Sequence, residues 1–417
     1  MSLSTQPYKG TRDFYPEDKR LQKYIFSKLR SVVETFGYQE YDAPMLEPFE
    51  LYAAKSGEEI VNEQLYSFED KGGRKLAIRP EMTPSVSRMV AARRQELAYP
   101  LRWYSIPNLW RYERPQRGRL REHWQLNVDL FGVEGIEGDA EIIQVADAIL
   151  KSFGAKPEMY EIRVNSRSAM RELLELKGFS GDIVPKIIGA FDRLGKDNFA
   201  EYLNKNFDQA DRVKLESFIN EVPGDATLDT SAGKKISTLI KLLRETGIDV
   251  KPDVTLNRGL DYYTDIVFEV YDTKPENNRS MFGGGRYDGL VGLFGAEPVP
   301  TVGFGMGDVT LQNFLESNDL LPKLESETQA VAILIGDVFE PAQKVLAELR
   351  AKGARVAVDA TERKLDTKIK AADKAGVKYA LFIGEQELRS SQFKLKNLVT
   401  GEEQTLAQDA IASAIAA

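Results

Sequence analysis

Residues 101–131 read LRWYSIPNLW, then RYERPQRGRLRE, then HWQLNVDLF. The outer segments are rich in apolar and aromatic residues, the composition of strands, and the middle one carries five arginines with Pro115 and Gly118 as breakers. The spacing predicts strands over Leu101–Trp110 and His123–Phe131, joined by a charged hairpin loop over Arg111–Glu122. Working outward, Leu21, Ile25, Leu29, Val32 and Val33 recur at helical spacing over Asp18–Thr35, ahead of Gly37. Tyr38–Leu46 reads as a strand containing Pro44, which suits an edge or an interface.

Downstream the pattern changes. From Ser166 to Ile248, apolar residues fall at helical spacing (Met170, Leu173, Leu174; then Ile236, Leu239, Ile240, Leu243), as in an inserted helical module. A mixed core resumes at Val254–Val270 and continues through the glycine-rich Phe282–Gly292 and Val302–Leu315. After Pro322 and the polar Lys323–Thr328, strands are expected at Ala330–Ile335, Arg355–Asp359 and Ala380–Ile383. Helices are expected at Pro341–Lys352 and Leu365–Ala375, giving a small α/β domain with a mostly parallel sheet. The expected division is 1–165, 166–250, 251–322 and 323–417.

Composition narrows the chemistry. The 417 residues include no cysteine and one histidine, His123. Disulfides, thiolate nucleophiles and cysteine–zinc sites are excluded, and so is any site that needs two histidines. What remains is Arg, Lys, Asp, Glu, Tyr and backbone groups, a set suited to electrostatic phosphate chemistry. The net charge of −8 argues mildly against a protein coated in nucleic acid, although local patches decide binding. No run approaches the length of a membrane span and the start lacks the apolar core of a signal peptide, so the expected location is the cytoplasm.

Five segments concentrate reactive side chains. Arg111–Arg121 offers planar, permanently charged guanidinium groups to phosphate oxygens, or else is a solvated basic hairpin. Arg79-Pro-Glu-Met-Thr83 sets Glu81 and Thr83 at a helix start, where a carboxylate can hold an ammonium or simply cap the helix. Arg258-Gly-Leu-Asp-Tyr-Tyr263 crowds an arginine, an aspartate and two tyrosines into a turn before Ile266–Glu269, more than a hairpin corner requires. Gly283-Gly-Gly-Arg-Tyr-Asp-Gly289 and Val302-Gly-Phe-Gly-Met-Gly307 let backbone approach a ligand or a neighbouring strand closely. The second of these matches neither a Walker A loop nor a dinucleotide GxGxxG, since Gly303, Gly305 and Gly307 alternate.

In this order, the segments resemble histidyl-tRNA synthetases over nearly the whole chain, beginning at Lys9-Gly-Thr-Arg-Asp-Phe14. The strand with Pro44 is similar to motif 1 of class II synthetases, and Arg111–Arg121 is similar to motif 2. Thr301–Leu311 occupies the place of motif 3. Arg258–Tyr263 and Gly283–Gly289 resemble the two histidine signatures, and the tail, with Lys396-Asn-Leu-Val-Thr-Gly-Glu-Glu403, resembles the anticodon-binding domain. The resemblance implies an α+β catalytic domain built on a six-stranded antiparallel sheet with helices, a helical insertion and a C-terminal α/β anticodon-binding domain. It also implies a homodimer formed through motif 1. The implied activity is a histidine–tRNA ligase, which makes histidyl-adenylate from L-histidine and ATP with Mg²⁺ and passes it to tRNA(His).

By the same resemblance, Arg111 and Arg258 meet the α-phosphate, and Glu113 and Arg119 help place ATP. Glu81, Thr83 and Gln125 hold the amino-acid ammonium, and Asp129, Tyr263 and Tyr287 surround the imidazole. Arg363, Lys364 and Lys368 lie where nine basic residues between Arg350 and Lys378 face four acidic ones, a plausible tRNA-contacting surface. Motif 3 departs from the family: Gly307-Asp-Val-Thr310 lacks the usual arginine, so that partner for ATP has no assigned substitute. Met82 stands where the family has glycine, and His123 reads as a strand residue. The competing reading is a non-catalytic, synthetase-like regulatory subunit of histidine biosynthesis.

Overall fold

The computed structural model of the chain describes residues 3–54, 60–191, 193–194, 199–257, 262–277 and 279–416. Its largest element grows from the 101–131 hairpin. Leu101–Ser105 runs antiparallel to Glu122–Phe131, with Leu101 opposite Phe131 and Ser105 opposite Asn127. The first predicted strand is broken in two. Pro107 has no N–H to give a ladder, and beyond it a short strand, Asn108–Trp110, pairs separately with the start of Glu122–Phe131.

Six strands then lie side by side, all antiparallel: Leu101–Ser105, Glu122–Phe131, Thr301–Gly307, Ser280–Arg286, Ile266–Asp272 and Tyr160–Ser166. A short parallel strand extends each edge, Gln39–Glu40 beside Leu101–Ser105 and Val250–Pro252 beside Tyr160–Ser166. The period of two along strands gives the sheet two unlike faces. One carries Leu126, Val128, Leu130, Val302, Phe304 and Met306, all buried. It packs on the helix Ile136–Ser152, whose Ile142, Ile143, Val145, Ala146, Ile149 and Leu150 are buried. The other face carries Gln125, Asn127 and Asp129, paired across the ladder with Gly307, Gly305 and Gly303; Gly305 and Gly303 pair in turn with Gly283 and Gly285. Through its centre this face has backbone and no side chains.

The predicted strand Tyr38–Leu46 survives only at its ends, as Gln39–Glu40 and as Leu46–Pro48 in a separate three-stranded sheet with Ser67–Glu69 and Lys75–Ile78. Between them the buried Arg79 guanidinium donates to the Ala43 carbonyl at 2.6 Å and to Asp42 at 2.9 Å, and Pro44 has no N–H, so the backbone cannot stay in a ladder. The helix ahead of it runs Pro16–Thr35, buries Ile25, Leu29 and Val33, and opens on Pro16, Glu17 and Asp18.

Helices Arg167–Leu176, Ile183–Phe191, Phe199–Asn206, Gln209–Glu221 and Gly233–Glu245 lie between two neighbouring strands of the large sheet. Ser166 and Asp208 cap the first and fourth, accepting the N–H groups of Ala169 and Asp211. Met170, Leu173, Ile187, Leu203, Leu215 and Phe218 give this region its own apolar cluster. The buried Asn165 amide donates to the Val254 and Leu256 carbonyls, returning the chain to the sheet.

Met1–Phe14 with Gln22–Leu321 form one compact unit, and Tyr15–Leu21 with Pro322–Ala417 form a second. In the second, three parallel strands (Val356–Asp359, Ala330–Leu334, Tyr379–Ile383) continue antiparallel into Gln392–Asn397 and Glu403–Ala407. Leu346, Leu349, Leu381, Phe393, Ile411 and Ile415 centre its core.

The close approach of the glycine strands is testable. A Cβ added at Gly284 lands on the Gly303 carbonyl oxygen and 2.7 Å from the Phe304 Cα, so two backbones would have to part. Gly284→Ala is expected to cost about 1–3 kcal/mol or more by urea unfolding. Gly289→Ala, which meets nothing within 4 Å, should stay within about 0.5 kcal/mol of the parent.

Candidate functional site

The bare face of the sheet is where polar side chains collect. Asp129 is 3% exposed and lies over Gly303, whose missing Cβ would sit 2.5 Å from its Oδ1. The Gln125 side chain lies over Gly305 in the same way. Tyr287 donates its hydroxyl to Asp129 Oδ1, and Tyr41 donates to Oδ2 at 3.4 Å. Burial pushes the Asp129 carboxyl up to about 7, and the two tyrosine hydrogen bonds pull the other way. Tyr287 itself is held well above the usual phenol range, by burial and by the neighbouring Asp129. On the opposite face its neighbour Arg286 is buried, bonded to Asp139 at 2.6 Å and to the Val133 and Gly135 carbonyls. That anchor fixes the end of the strand from which Tyr287 projects.

Glu81 and Thr83 reach the same region from the helix Thr83–Ala92. Met82 is the N-cap and no side chain caps the helix, so Glu81 is not there to cap it. Instead the buried Glu81 accepts from the Tyr262 hydroxyl at 3.0 Å, with Thr83 Oγ1 3.5 Å from the same hydroxyl. The Tyr262 ring lies 4.9 Å from Tyr263 and 5.7 Å from Tyr287, so three tyrosines wall the space between the two carboxylates. A Cβ on Gly285 would come within 3.0 Å of Tyr263, so the glycine makes room for that ring. Arg111 donates Nε to the Pro80 carbonyl at 2.9 Å, which sets the first loop arginine beside Glu81. Arg258 and Asp261 lie outside the described residues.

The arginine loop is held at its base. The N–H groups of Arg121 and Glu122 donate to the Gly10 carbonyl, and the Arg121 guanidinium lies 3.8 Å from the Tyr112 ring centre and donates to Tyr8 Oη. Glu113 and Arg119 form an ion pair at 3.5 Å. Next to the loop, His123 is pushed down to about 3, first by burial and then by the Arg111 and Arg12 guanidiniums. That direction favours the neutral imidazole, and His123 lies half-buried in the strand Glu122–Phe131, a strand residue as read from sequence.

Two carboxylates deep in an aromatic-walled space can receive N–H groups, while the guanidiniums beside it can receive an anion. The structure thus brings together Glu81, Thr83, Gln125, Asp129, Tyr263, Tyr287 and Arg111, with the Glu113–Arg119 pair on the adjoining loop. Sequence reasoning missed the roles of Tyr262 and Tyr41. Tyr262 stood inside a segment already singled out, whereas Tyr41 gave no local signal, because its partner Asp129 is 88 residues away. Among the described residues, no group of three or more metal-ligating side chains is assembled.

In the second unit, Arg363 pairs with Asp359 at 3.0 Å and Lys364 precedes the helix Leu365–Lys374. Lys368 is different from expectation. It is 6% exposed, and its ammonium donates to the Leu334 and Asp359 carbonyls at the ends of two parallel strands. The burial follows from its place on the inner side of the first helical turn, and it removes Lys368 from any surface offered to phosphate.

Comparison with known proteins is consistent across the chain. Residues 10–309 match the family model described as histidyl-tRNA synthetase, and residues 329–417 match the anticodon binding domain. A histidine–tRNA ligase of Leptospira biflexa is 42% identical over 95% of this chain and 94% of its own. One from Thermoplasma volcanium is 40% identical over 96% of each. The apo crystal structure of S. aureus histidyl-tRNA synthetase superposes with a TM-score of 0.76 at 27% identity, covering 99% of this chain and all of that one.

The single histidine, half-buried at the start of its strand and near two guanidiniums, makes a direct measurement possible. Nitrogen-detected NMR on ring-labelled protein should show one neutral imidazole from about pH 5 to 8. A ring that titrates near 6.5 would place His123 in solvent and undo the packing described here.

Proposed function

The chain belongs to the histidyl-tRNA synthetase family and is a histidine–tRNA ligase, and from that premise we propose how its residues divide the work. The observation that carries the reading is Asp129: a carboxylate sunk over Gly303 and gripped by two tyrosine hydroxyls is a built acceptor for an imidazole N–H. Glu81, Thr83 and Gln125 take the ammonium of L-histidine. Tyr263 and Tyr287 enclose its ring.

The first step joins two anions, so fixed positive charge has to offset their repulsion. The histidine carboxylate oxygen attacks the α-phosphorus of ATP, the bond to pyrophosphate breaks, and histidyl-adenylate forms. Arg111, held in place by Pro80, and Arg258 receive the charge that builds on the α-phosphate. Glu113 and Arg119 position the nucleotide. In the second step the terminal ribose hydroxyl of tRNA(His) attacks the adenylate carbonyl and AMP leaves.

A Mg²⁺ ion that travels with ATP needs only one or two protein carboxylates, the remaining ligands being phosphates and water. Glu113, on the arginine loop and 11% exposed in its side chain, would hold such an ion, which would supply charge neutralisation at the phosphates. The region 166–250 is an insertion within the catalytic domain (1–165 and 251–322), and 323–417 carries Arg363 and Lys364 toward the anticodon arm.

The working form is a homodimer through motif 1. Met45, Leu46 and Phe68 support it, as large apolar side chains left exposed on or beside the small three-stranded sheet. No helix among the described residues is long and apolar enough to cross a membrane, and the cytoplasm is the proposed location. A regulatory, non-catalytic role has less support, because the curated ligases align over nearly their full length and the anticodon-domain match is present.

ATP–pyrophosphate exchange with each of the twenty amino acids tests the reading: exchange with histidine alone is expected, and none from folded protein would favour the regulatory role. Arg258→Ala should slow activation by about 10²–10³-fold. The acceptor form of Asp129 becomes populated as pH rises through about 7, so KM for histidine should fall across that range. Tyr287→Phe removes a hydrogen bond that favours the carboxylate, so the inflection should move to higher pH. An inflection that stays in place would show that it belongs to histidine's own imidazole.

A further inference from the structure

We infer that Arg12, on the N-terminal segment, is a nucleotide-phosphate contact of this enzyme, taking the part for which Thr310 is unsuited. The inference rests on the ligase reading above and deepens it.

Thr310 is occupied elsewhere. Its hydroxyl donates to the Met281 carbonyl at 2.8 Å and lies 3.1 Å from the Gly307 carbonyl, and its methyl sits 3.4 Å from the position of a Cβ on Gly118 of the arginine loop. It is a neutral packing residue between the loop and the strand-to-helix joint. Positive charge reaches that joint from the other end of the chain. Arg12 donates Nη2 to Asp308 Oδ2 at 2.7 Å, and Asp308 is the first residue of the helix Asp308–Ser317. Asp308 is itself fixed, since its Oδ1 accepts the Trp124 N–H at 2.9 Å.

Arg12 also stands over the Phe14 ring at 4.9 Å, and Phe14 meets Trp124 edge-on at 5.2 Å. The segment that carries it is fastened to the arginine loop through the Gly10 carbonyl and the Tyr8 hydroxyl. Arg12 reaches the start of the Glu122–Phe131 strand through Asp308 and the Trp124 N–H, and Arg111 is tied to the residue just before that strand, its N–H donating to the Arg121 carbonyl.

The feature that points to a ligand is Arg12 Nε. It is buried and has no hydrogen-bond partner among the described residues, although the rest of the side chain is tightly placed. A buried N–H of a charged group without an acceptor is unfavourable, and here the acceptor would be an oxygen that no described residue supplies. A polyphosphate bound along Arg111 supplies one. An ion pair with Asp308 aims the guanidinium without using all five of its donors.

The test is ATP affinity against histidine affinity. In histidine-dependent pyrophosphate exchange, Arg12→Ala should raise KM for ATP by ~10–100-fold, as for loss of a charged hydrogen bond, with KM for histidine within about twofold. Arg12→Lys keeps the charge beside Asp308 and loses Nε, and should show an intermediate rise with an unchanged melting temperature. Asp308→Asn, which keeps an acceptor for the Trp124 N–H but loosens the hold on Arg12, should raise KM for ATP less than Arg12→Ala does and leave KM for histidine unchanged. The inference is overturned if KM for ATP stays within about twofold in Arg12→Ala. It is also overturned if Arg12→Ala and Asp308→Asn raise both KM values alike and lower the melting temperature together, the behaviour of a purely structural strap. Calorimetric binding of an unreactive ATP analogue to the same variants reads Arg12 without catalysis, so absence of exchange in the parent protein would count against the ligase reading alone.

Discussion

The site depends on the pairing of glycine with glycine across two adjacent strands, beside a third that carries the polar side chains. Gly303 and Gly305 face Gly285 and Gly283, and on the same face Asp129 and Asn127 stand across the ladder from Gly303 and Gly305. A Cβ at either Gly303 or Gly305 would strike Asp129 or Gln125. The missing side chains therefore do two things: they let polar groups of one strand fold over its neighbour, and they leave bare backbone as the floor of a binding space. A sheet of β-branched residues would be better packed and would have no room for a substrate.

The opposite face compensates for this loss. Leu126, Val128, Leu130, Phe304 and Met306 are buried there against the helix Ile136–Ser152. The Arg286–Asp139 pair crosses into that layer, where removing either partner would leave a buried charge alone. The pair holds the turn that carries Tyr287, so a rigid element on the packed side positions a hydroxyl on the open side.

Much of this was legible in the sequence, and what was not has identifiable causes. The alternating glycines of 302–307 and the run at 283–285 invited either a turn or a packed strand, and only the ladder shows that they stack into one floor. Pro44 was read as an edge or interface residue inside one continuous strand, but the strand is broken there, because Pro44 has no N–H and Arg79, a side chain from elsewhere, takes the Ala43 carbonyl. Lys368 looked like a surface cation because charge counting ignores which side of a helix faces a sheet. It is instead a buried donor to two strand ends. Tyr41, Tyr262 and Arg12 became visible only through partners 88, 181 and 296 residues away.

Selectivity follows from burial more than from the number of contacts. An acceptor in water would tolerate a ligand without an N–H, since water would replace it. Asp129 is enclosed, already shifted to about 7 by the cost of its own charge, and held by two phenols that cannot follow it elsewhere. A ligand that brings no donor leaves the acceptor sites that the two phenols do not fill without a partner, and sites of this kind discriminate by roughly 10⁴–10⁵ without a second, editing site. The same reasoning separates the two ends of the pocket. The imidazole end is buried at Asp129 and Tyr287, whereas the arginines of the phosphate end, Arg12 and Arg119, are partly exposed, so charge and reach matter more there than fit. A guanidinium arriving there from the N-terminal segment can therefore stand in for one on the motif 3 helix, while no comparable exchange is open to Asp129.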